Sequence, residues 1–486
     1  MNTLAMKLKG QWQRSLMVTI LGSLSLLSTS ASAQSPNIVL ILADDLGYAD
    51  VGFNGSKDIT TPNLDALAAN GVSFDEAYVA HPFCGPSRAA LLTGRYPHKI
   101  GSQFNLPTKG SYVGVPTSET FVGEVLQQAG YTTGAIGKWH LGEAPQFHPN
   151  RRGFDEFYGF TGGGHHYFPE VFSAKYQQLK KQGLTNIDHY LLPLERNGVE
   201  VQETEYVTDG LSREAVNFVN SAKQTDKPFF LYLAYNAPHV PLHATEADLA
   251  KFAHIKNKKR RAYAAMVYAV DRGVGKLVNA LKDNQQLDNT LIVFLSDNGG
   301  NTNEGANNSP LRQGKGSVFE GGFRVPMLMH WPKKLAKGKK FEHPVLAIDF
   351  FPTFAGLAGV DLSQNDKLDG KDVWSAIQQN INPHKDDLIY ALRHRKGYSD
   401  AAVRRNEWKA VKFAEQDWQL FNIEKDPQEQ HDVSRKHPAM LADMVREMEK
   451  WSWDNAQPLW FHESFEGAQW RLDGMPRFDK TFKLTP

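Results

Sequence analysis

Four short runs of Ile, Val, Leu, Phe and Tyr, each ending abruptly in acids, amides, lysine or histidine, constrain this chain more than any other feature. NIVLIL (37–42) leads into Ala43-Asp44-Asp45, and TTGAIG (132–137) into Lys138-Trp139-His140. PFFLYLAY (228–235) leads into Asn236-Ala237-Pro238-His239, and TLIVFLS (290–296) into Asp297-Asn298-Gly299-Gly300. Continuous apolar runs, rather than alternating ones, are what a strand buried on both faces requires. Helical patterns fall between them. TPNLDALAANG (61–71) has Thr or Pro near its start and Gly71 as a stop, and SETFVGEVLQQAGY (118–131) has Ser118 as N-cap and Gly130 past the end. RRAYAAMVYAVDRGVGKLVNALKDN (260–284) is a long amphipathic helix. The predicted fold class is α/β, a large and mostly parallel sheet flanked by helices. In such open sheets ligands bind outside the carboxyl ends of the strands. One polar loop after a strand is ordinary. Four that deliver acids, amides, Lys and His to one edge are what a polar, ion-rich site requires.

The first 33 residues read as a signal peptide, not as fold. Lys7, Lys9 and Arg14 precede the apolar run SLMVTILGSLSLL, and the small-residue pattern ASA (31–33) places cleavage before Gln34. The run is too short, and too broken by Ser and Gly, for a membrane anchor. No later stretch is long and apolar enough to span a membrane, so the mature protein is expected to be exported, periplasmic or secreted. Residues 34–384 form the expected catalytic domain. From 385 the texture changes to short strand-like pieces with a turn at Asp426-Pro427, followed by the amphipathic segment HPAMLADMVREMEKWSWD. Residues 385–486 are therefore expected to form a smaller C-terminal antiparallel sheet plus helix, with 455–486 wrapping the surface. A net charge of +1 argues against nucleic-acid binding. The basic runs IKNKKRR (255–261) and PKKLAKGKK (332–340) read as solvated faces.

Cys84 is the only cysteine, so it cannot form an intramolecular disulfide. It lies in HPFCGPSRAALLTGRYPH (81–98), where Pro86 suits the first turn of a helix that Gly94 would end. A thiol at a helix N-terminus, with Arg88 four residues on, is expected to have a lowered pKa and to be nucleophilic. A thiol protease or acyltransferase would fit a Cys–His pair. Neither needs Asp44, Asp45, Asp297 and Asn298 at the same sheet edge.

CGPSRAALLTGR resembles the Cys-x-Pro-Ser-Arg…Thr-Gly-Arg signature of the formylglycine-dependent (type I) sulfatases, in the alkaline-phosphatase-like superfamily. PNIVLILADDLGYADVG, TPNLDALAANGVSFDEAY, GKWHLG, PHVPLH, SDNGG, GKGSVFEGGFRVP and LFNIEKDPQEQHDV resemble further family blocks in family order. The resemblance implies that a formylglycine-generating enzyme oxidises Cys84 to an aldehyde, whose hydrate carries two hydroxyls. One attacks the sulfur of a sulfate ester and expels the alcohol; the other drives elimination of sulfate and restores the aldehyde. It also implies that Asp44, Asp45, Cys84, Asp297 and Asn298 hold Ca²⁺, with Mg²⁺ less suited to them. Arg88 and His140 would steady the diol. Lys138, His239 and Lys315 would hold sulfate oxygens, with His239 or Lys315 protonating the leaving oxygen. Arg95 would pair with an acid, and Glu320 and Arg324 would fix the loop carrying Lys315. In LRQGKG, Gln313 stands where family members often have Gly. After GFDEFYG the family often has a polar residue that touches the substrate. This chain has glycines there and then His165 and His166, which are carried as candidate substrate-binding residues. The implied activity is a sulfuric ester hydrolase acting on a sulfated carbohydrate, such as an algal glycan or a glycosaminoglycan. A phosphonate monoester or phosphodiester hydrolase of the same superfamily is the alternative within the fold. A non-catalytic, sulfated-glycan-binding relative is the alternative outside catalysis, and it is disfavoured because every expected polar position is filled.

Overall fold

The computed structural model describes residues 35–107, 112–395, 399–414 and 416–472; the expected signal peptide and the end of the tail lie outside them. A ten-stranded sheet runs in the order Lys339–Phe341, Val72–Phe74, Met327–His330, Thr290–Ser296, Asn37–Ala43, Phe229–Ala234, Thr132–Lys138, Glu156–Phe160, Leu194–Arg196, Val199–Val201. The four sequence-predicted strands are its centre, and with Glu156–Phe160 they pair in parallel throughout. Met327–His330 is antiparallel to Thr290–Ser296. The connection between them stays at the carboxyl edge and re-enters the sheet from there, so its strand must run the other way.

The reason for unbroken apolar runs is visible in strand Asn37–Ala43. Ile38, Leu40 and Leu42 join one hydrophobic cluster, while Val39, Ile41 and Ala43 join a second. Alternate side chains thus feed a core on each face of the sheet. Helix Lys258–Asp283 covers one face, and its buried Asp271 has a second task. It accepts the backbone N–H groups of Asn63 (3.0 Å) and Leu64 (2.8 Å), capping helix Pro62–Ala69 where Thr61 makes no side-chain cap. The next predicted helix starts later than expected, at Val122, because Ser118 is taken up in a turn closed by the Glu119 N–H on the Pro116 carbonyl (3.0 Å). Gly130 follows that helix at φ 90°, as a stop residue should.

Strands Leu388–His394, Ser399–Arg405, Trp408–Lys412 and Gln419–Asn422 form the antiparallel C-terminal sheet, followed by helix Pro438–Trp453. Ala401, Val403, Val411 and Leu420 share one hydrophobic cluster with Leu40 and Phe354, so the core is continuous across residue 385. The tail then crosses the 98–106 loop. Ala456 N–H bonds the His98 carbonyl (2.8 Å), and Trp460 Nε1 bonds that of Phe104 (2.9 Å). Among the described residues no helix is long and apolar enough to cross a membrane.

Candidate active site

The carboxyl edge of the central strands collects Asp44, Lys138, His239 and Asp297 within reach of one helix terminus. Helix Cys84–Thr93 starts at Cys84 itself and ends at Gly94, which takes φ 67°. Its Gly85 N–H, one of the donors a helix start leaves open, is taken by Asn105 Oδ1 at 3.0 Å. Cys84 Sγ lies 3.4 Å from Asp44 Oδ1 and 3.4 Å from Lys315 Nζ. Lys138 Nζ pairs with Asp44 (2.5 Å), Lys315 Nζ with Asp45 (2.6 Å), and Arg88 Nε with Asp297 (2.9 Å). His239 Nε2 stands 3.8 Å from Asp45. Ligand atoms of Asp44, Asp45, Cys84 and His239 all lie within 4.8 Å of one another. Asp297 borders this group and accepts the Asp45 N–H (3.3 Å). Asn298 donates Nδ2 to Asp45 (2.7 Å), while its buried Oδ1 has no partner. Three carboxylates and an unpartnered amide oxygen are hard oxygen donors, a set that fits Ca²⁺.

Backbone conformation aims several of these groups. Asp45 and His140, each just past a strand end, adopt φ 64° and 62°. Non-glycine residues rarely take such angles without a constraint from their surroundings, and such residues cluster at functional sites. Gln313 also sits at φ 62°, the left-handed region a glycine enters freely, so the side chain there is carried by the loop and not excluded from it.

Electrostatics corrects one expectation. Burial, reinforced by the charge on Asp44, pushes the Cys84 thiol up to about 12, despite Lys138 and Lys315 nearby. An unmodified thiol here is neutral and a poor nucleophile, contrary to the helix-terminus argument, because burial and the carboxylate outweigh the two lysines. Burial also raises Asp44, but Lys138, His239, Arg88 and Lys315 together outweigh it and hold its carboxyl far below the usual range. Burial, then Lys138 and Arg88, keep His140 neutral. Burial opposes the charge on Lys315, yet Asp45, Cys84 and Asp44 keep it firmly protonated.

His165 does not face this site. It is fully buried, with Nδ1 on the His166 carbonyl (2.6 Å) and Nε2 on the Leu192 carbonyl (2.7 Å), between the rings of Phe160 and Phe172. The two carbonyls and the two phenyl rings wall the imidazole in, so no substrate contact is left to it. His166 is half-buried and lies edge-on to Tyr190. Arg95 pairs with both oxygens of Glu119 (2.9 and 2.7 Å). Glu320 and Arg324, expected to fix the Lys315 loop, tie to other segments: Arg324 Nε donates to the Asp75 carbonyl (2.6 Å) and Nη1 stands 3.6 Å from Glu320. Glu320 accepts from Tyr78 (2.6 Å) and from Lys409 of the C-terminal sheet (2.8 Å), and Lys409 also pairs with Glu429 (3.0 Å). Arg393, from the same sheet, bonds the Gly316 carbonyl and lies over the Phe83 ring. Asn105 and Arg393, which the structure brings to Gly85 and Gly316, carry no periodicity or motif that distinguishes them in the sequence.

Comparison with known proteins fixes the class. The Sulfatase family's sequence profile matches residues 36–360, and the profile of the N-sulphoglucosamine sulphohydrolase C-terminal region matches 314–454. The chain belongs to the sulfatase family, and is thus a sulfuric ester hydrolase by descent. Mouse N-acetylgalactosamine-6-sulfatase is 37% identical over 74% of this chain and 69% of its own length. Human arylsulfatase A is 37% identical over 81% of this chain and 78% of its own. The crystal structure of Ps i-CgsB in complex with k-i-k-neocarrahexaose is 68% identical, covers 93% of this chain and 100% of that one, and superposes with a TM-score of 0.91.

Proposed function

We propose that this chain is an exported, calcium-dependent sulfatase that removes sulfate from a sulfated galactan of the carrageenan type, with Cys84 matured to formylglycine. The observation that carries the chemistry is Cys84 Sγ at 3.4 Å from both a carboxylate and an ammonium, with a further acid-bound guanidinium behind it. The Sγ position marks where the matured side chain would hold its oxygens. Formylglycine supplies two hydroxyls on one carbon, the first to attack sulfur and expel the alcohol, the second to release sulfate. Asp44, Asp45, Asp297 and Asn298 would hold Ca²⁺, which supplies charge neutralisation for sulfate oxygens and favours ionisation of a hydroxyl.

The remaining work falls to side chains of the chain itself. Arg88, locked by Asp297 and by the Lys138 carbonyl (2.8 Å), presents fixed positive charge beneath the nucleophile. His140, held neutral against Gly85, orients it. Lys138, His239 and Lys315 surround the sulfate and offset the charge that develops on its oxygens. His239 or Lys315 gives the proton to the departing sugar oxygen. The galactan reading rests on the oligosaccharide bound by the 68%-identical relative.

Peptide mass spectrometry across residues 81–95 tests the maturation: active enzyme from a host with the generating enzyme should carry a species lighter than the thiol form. Active enzyme containing only thiol sinks the mechanism. Sulfate release from k-i-k-neocarrahexaose tests the substrate, and a higher kcat/KM on phenyl phosphonate esters than on aryl sulfate would favour the phosphonate reading instead.

A further inference from the structure

The sequence GFTGGGHH contains three consecutive glycines, and in the fold each faces a ring. A Cβ at Gly162 would stand 2.7 Å from His189 Cγ, one at Gly163 would stand 2.7 Å from His140 Nε2, and one at Gly164 would stand 2.2 Å from Tyr190 Cζ. No side chain tolerates such approaches, so the glycines are the condition for this packing. On its other side the His140 ring lies against Gly85, the neighbour of Cys84. Adjacent glycines thus pack the His140 ring, at Gly163, and the Tyr190 ring, at Gly164, which ties Tyr190 to the edge of the candidate active site.

Tyr190 is itself fixed. Its N–H donates to Asp188 Oδ1 (3.0 Å), its carbonyl accepts the His166 N–H (3.3 Å), and its ring stacks on His189 at 5.2 Å. Its hydroxyl bonds to no described residue and its oxygen is not sealed from solvent. Burial raises that hydroxyl above its ordinary value, and the Asp44 and Asp45 carboxylates push the same way against Lys315. Outward from it, His166 meets Tyr190 edge-on at 6.3 Å and stacks on His243 at 5.7 Å. His166 and His243 are half-buried, and each has a buried Nδ1 with no partner. Three rings in a row, with the Tyr190 hydroxyl unspent, match a sugar chain, which offers C–H faces to rings and hydroxyls to donors and acceptors.

The geometry points to Tyr190 as the residue that seats the sulfate-bearing sugar beside Cys84, with His166 and His243 carrying the next sugar of the chain. This rests on the carbohydrate reading above. Lys138, His239 and Lys315 address the sulfate and carry no information about the sugar behind it. The ring row supplies that information, and it favours an oligosaccharide over a small ester.

The test compares kcat/KM on k-i-k-neocarrahexaose and on 4-nitrophenyl sulfate for the wild type, Tyr190→Ala, Tyr190→Phe and Gly164→Ala. In Tyr190→Ala the oligosaccharide-to-aryl ratio should fall about tenfold or more, with the loss in KM for the oligosaccharide; Tyr190→Phe should lose a smaller part of it, about threefold. Gly164→Ala should lower the same ratio in the wild type and add nothing in the Tyr190→Ala background, the coupling expected of a contact pair. An equal fall on both substrates, as from general damage to the fold, or an unaltered ratio, overturns the inference. A wild type that releases sulfate from the aryl ester but from no sulfated oligosaccharide overturns the carbohydrate reading and this inference together.

Discussion

Two clusters of buried charge lie five residues apart along one loop, and they are built on opposite terms. At Lys315, three carboxylates (Asp44, Asp45, Asp297) meet three cations (Arg88, Lys138, Lys315), yet polar atoms are left over. Asn298 Oδ1 and His140 Nδ1 are buried without partners, and Arg88 Nη2 stops 3.6 Å from Asp44. At Glu320 more of the bonds close, although Glu429 Oε1, 3.0 Å from Lys409, has an ion pair and no hydrogen bond. One Glu320 oxygen takes Tyr78 and the other takes Lys409. Glu429 takes the Glu320 N–H (2.7 Å), Arg404 reaches both Tyr78 and Glu76, and Arg312 bonds the Glu429 carbonyl. Each unmet buried polar group costs about 1–3 kcal/mol. A protein tolerates that where substrate or cation will complete the bonds, and avoids it where charge only ties elements together. The share of polar atoms left open, more than the number of charges, separates the proposed reacting cluster from the strut.

Cys84→Ala should break the first cluster without touching the second. Sulfate release is expected to fall by at least about a thousandfold, because no other group at the site can replace the nucleophile. Denaturant stability should shift by less than about 1 kcal/mol, since only a small buried atom is lost. Residual activity within tenfold of wild type would mean that the reaction does not pass through position 84.

Lys409→Ala should do the reverse. It leaves Glu320 and Glu429 buried against each other without their cation, a loss of about 3–5 kcal/mol in chemical denaturation. Maturation at Cys84, read by mass, should persist in the folded fraction. If Lys409→Ala were as stable as wild type, the strut would be ornamental and the contrast between the clusters would fail. Chelation sharpens the comparison at smaller amplitude. Removing Ca²⁺ should abolish turnover, reversibly on adding calcium back. It should also lower unfolding stability by about 2.7 kcal/mol when the ion was present at a hundredfold over its Kd. Three cations remain to balance three carboxylates, so the chelated protein should stay folded. Turnover that survives exhaustive chelation would remove the metal from the site.

The reacting cluster was largely legible in the sequence because its parts are local to strand ends. Asp44, Lys138, His239 and Asp297 each come just after an apolar run, and parallel strands bring the residues at their carboxyl ends to one edge. The strut was not legible. Lys409 lies on a strand whose polar residues look solvent-facing, yet it is 4% exposed, and its partners are 89 and 20 residues away in sequence. Tyr190 was hidden for the same reason: it occupies a single 3-10 turn, and only the tertiary approach of Gly164 gives it a place. The thiol of Cys84 misled because a helix terminus is visible in sequence, whereas the burial and the neighbouring Asp44 that outweigh it are not. His165 misled because a histidine after a glycine run carries no mark of which way it turns.

The smallest effect expected is a pH slope from the strut. Burial, with the nearby Glu320 charge, raises Glu429 to about 7, and Lys409 only partly offsets this. Of the two glutamates Glu429 holds the proton, because Glu320 has Lys409, Arg324 and the Tyr78 hydroxyl to stabilise its charge. A raised carboxyl binds its proton more tightly folded than unfolded. Between the ordinary glutamate range and about 7 the folded state therefore holds the extra proton, and stability declines as pH rises through that window. Glu429→Gln keeps an acceptor for the Glu320 N–H but cannot ionise, so its stability relative to wild type should improve by about 1–3 kcal/mol from pH 4.5 to 7.5. Cys84→Ala, measured in parallel, should run parallel to wild type over the same range. Parallel curves for Glu429→Gln and wild type would mean that the strut holds no proton, and that its charge is balanced by Lys409 and the arginines alone.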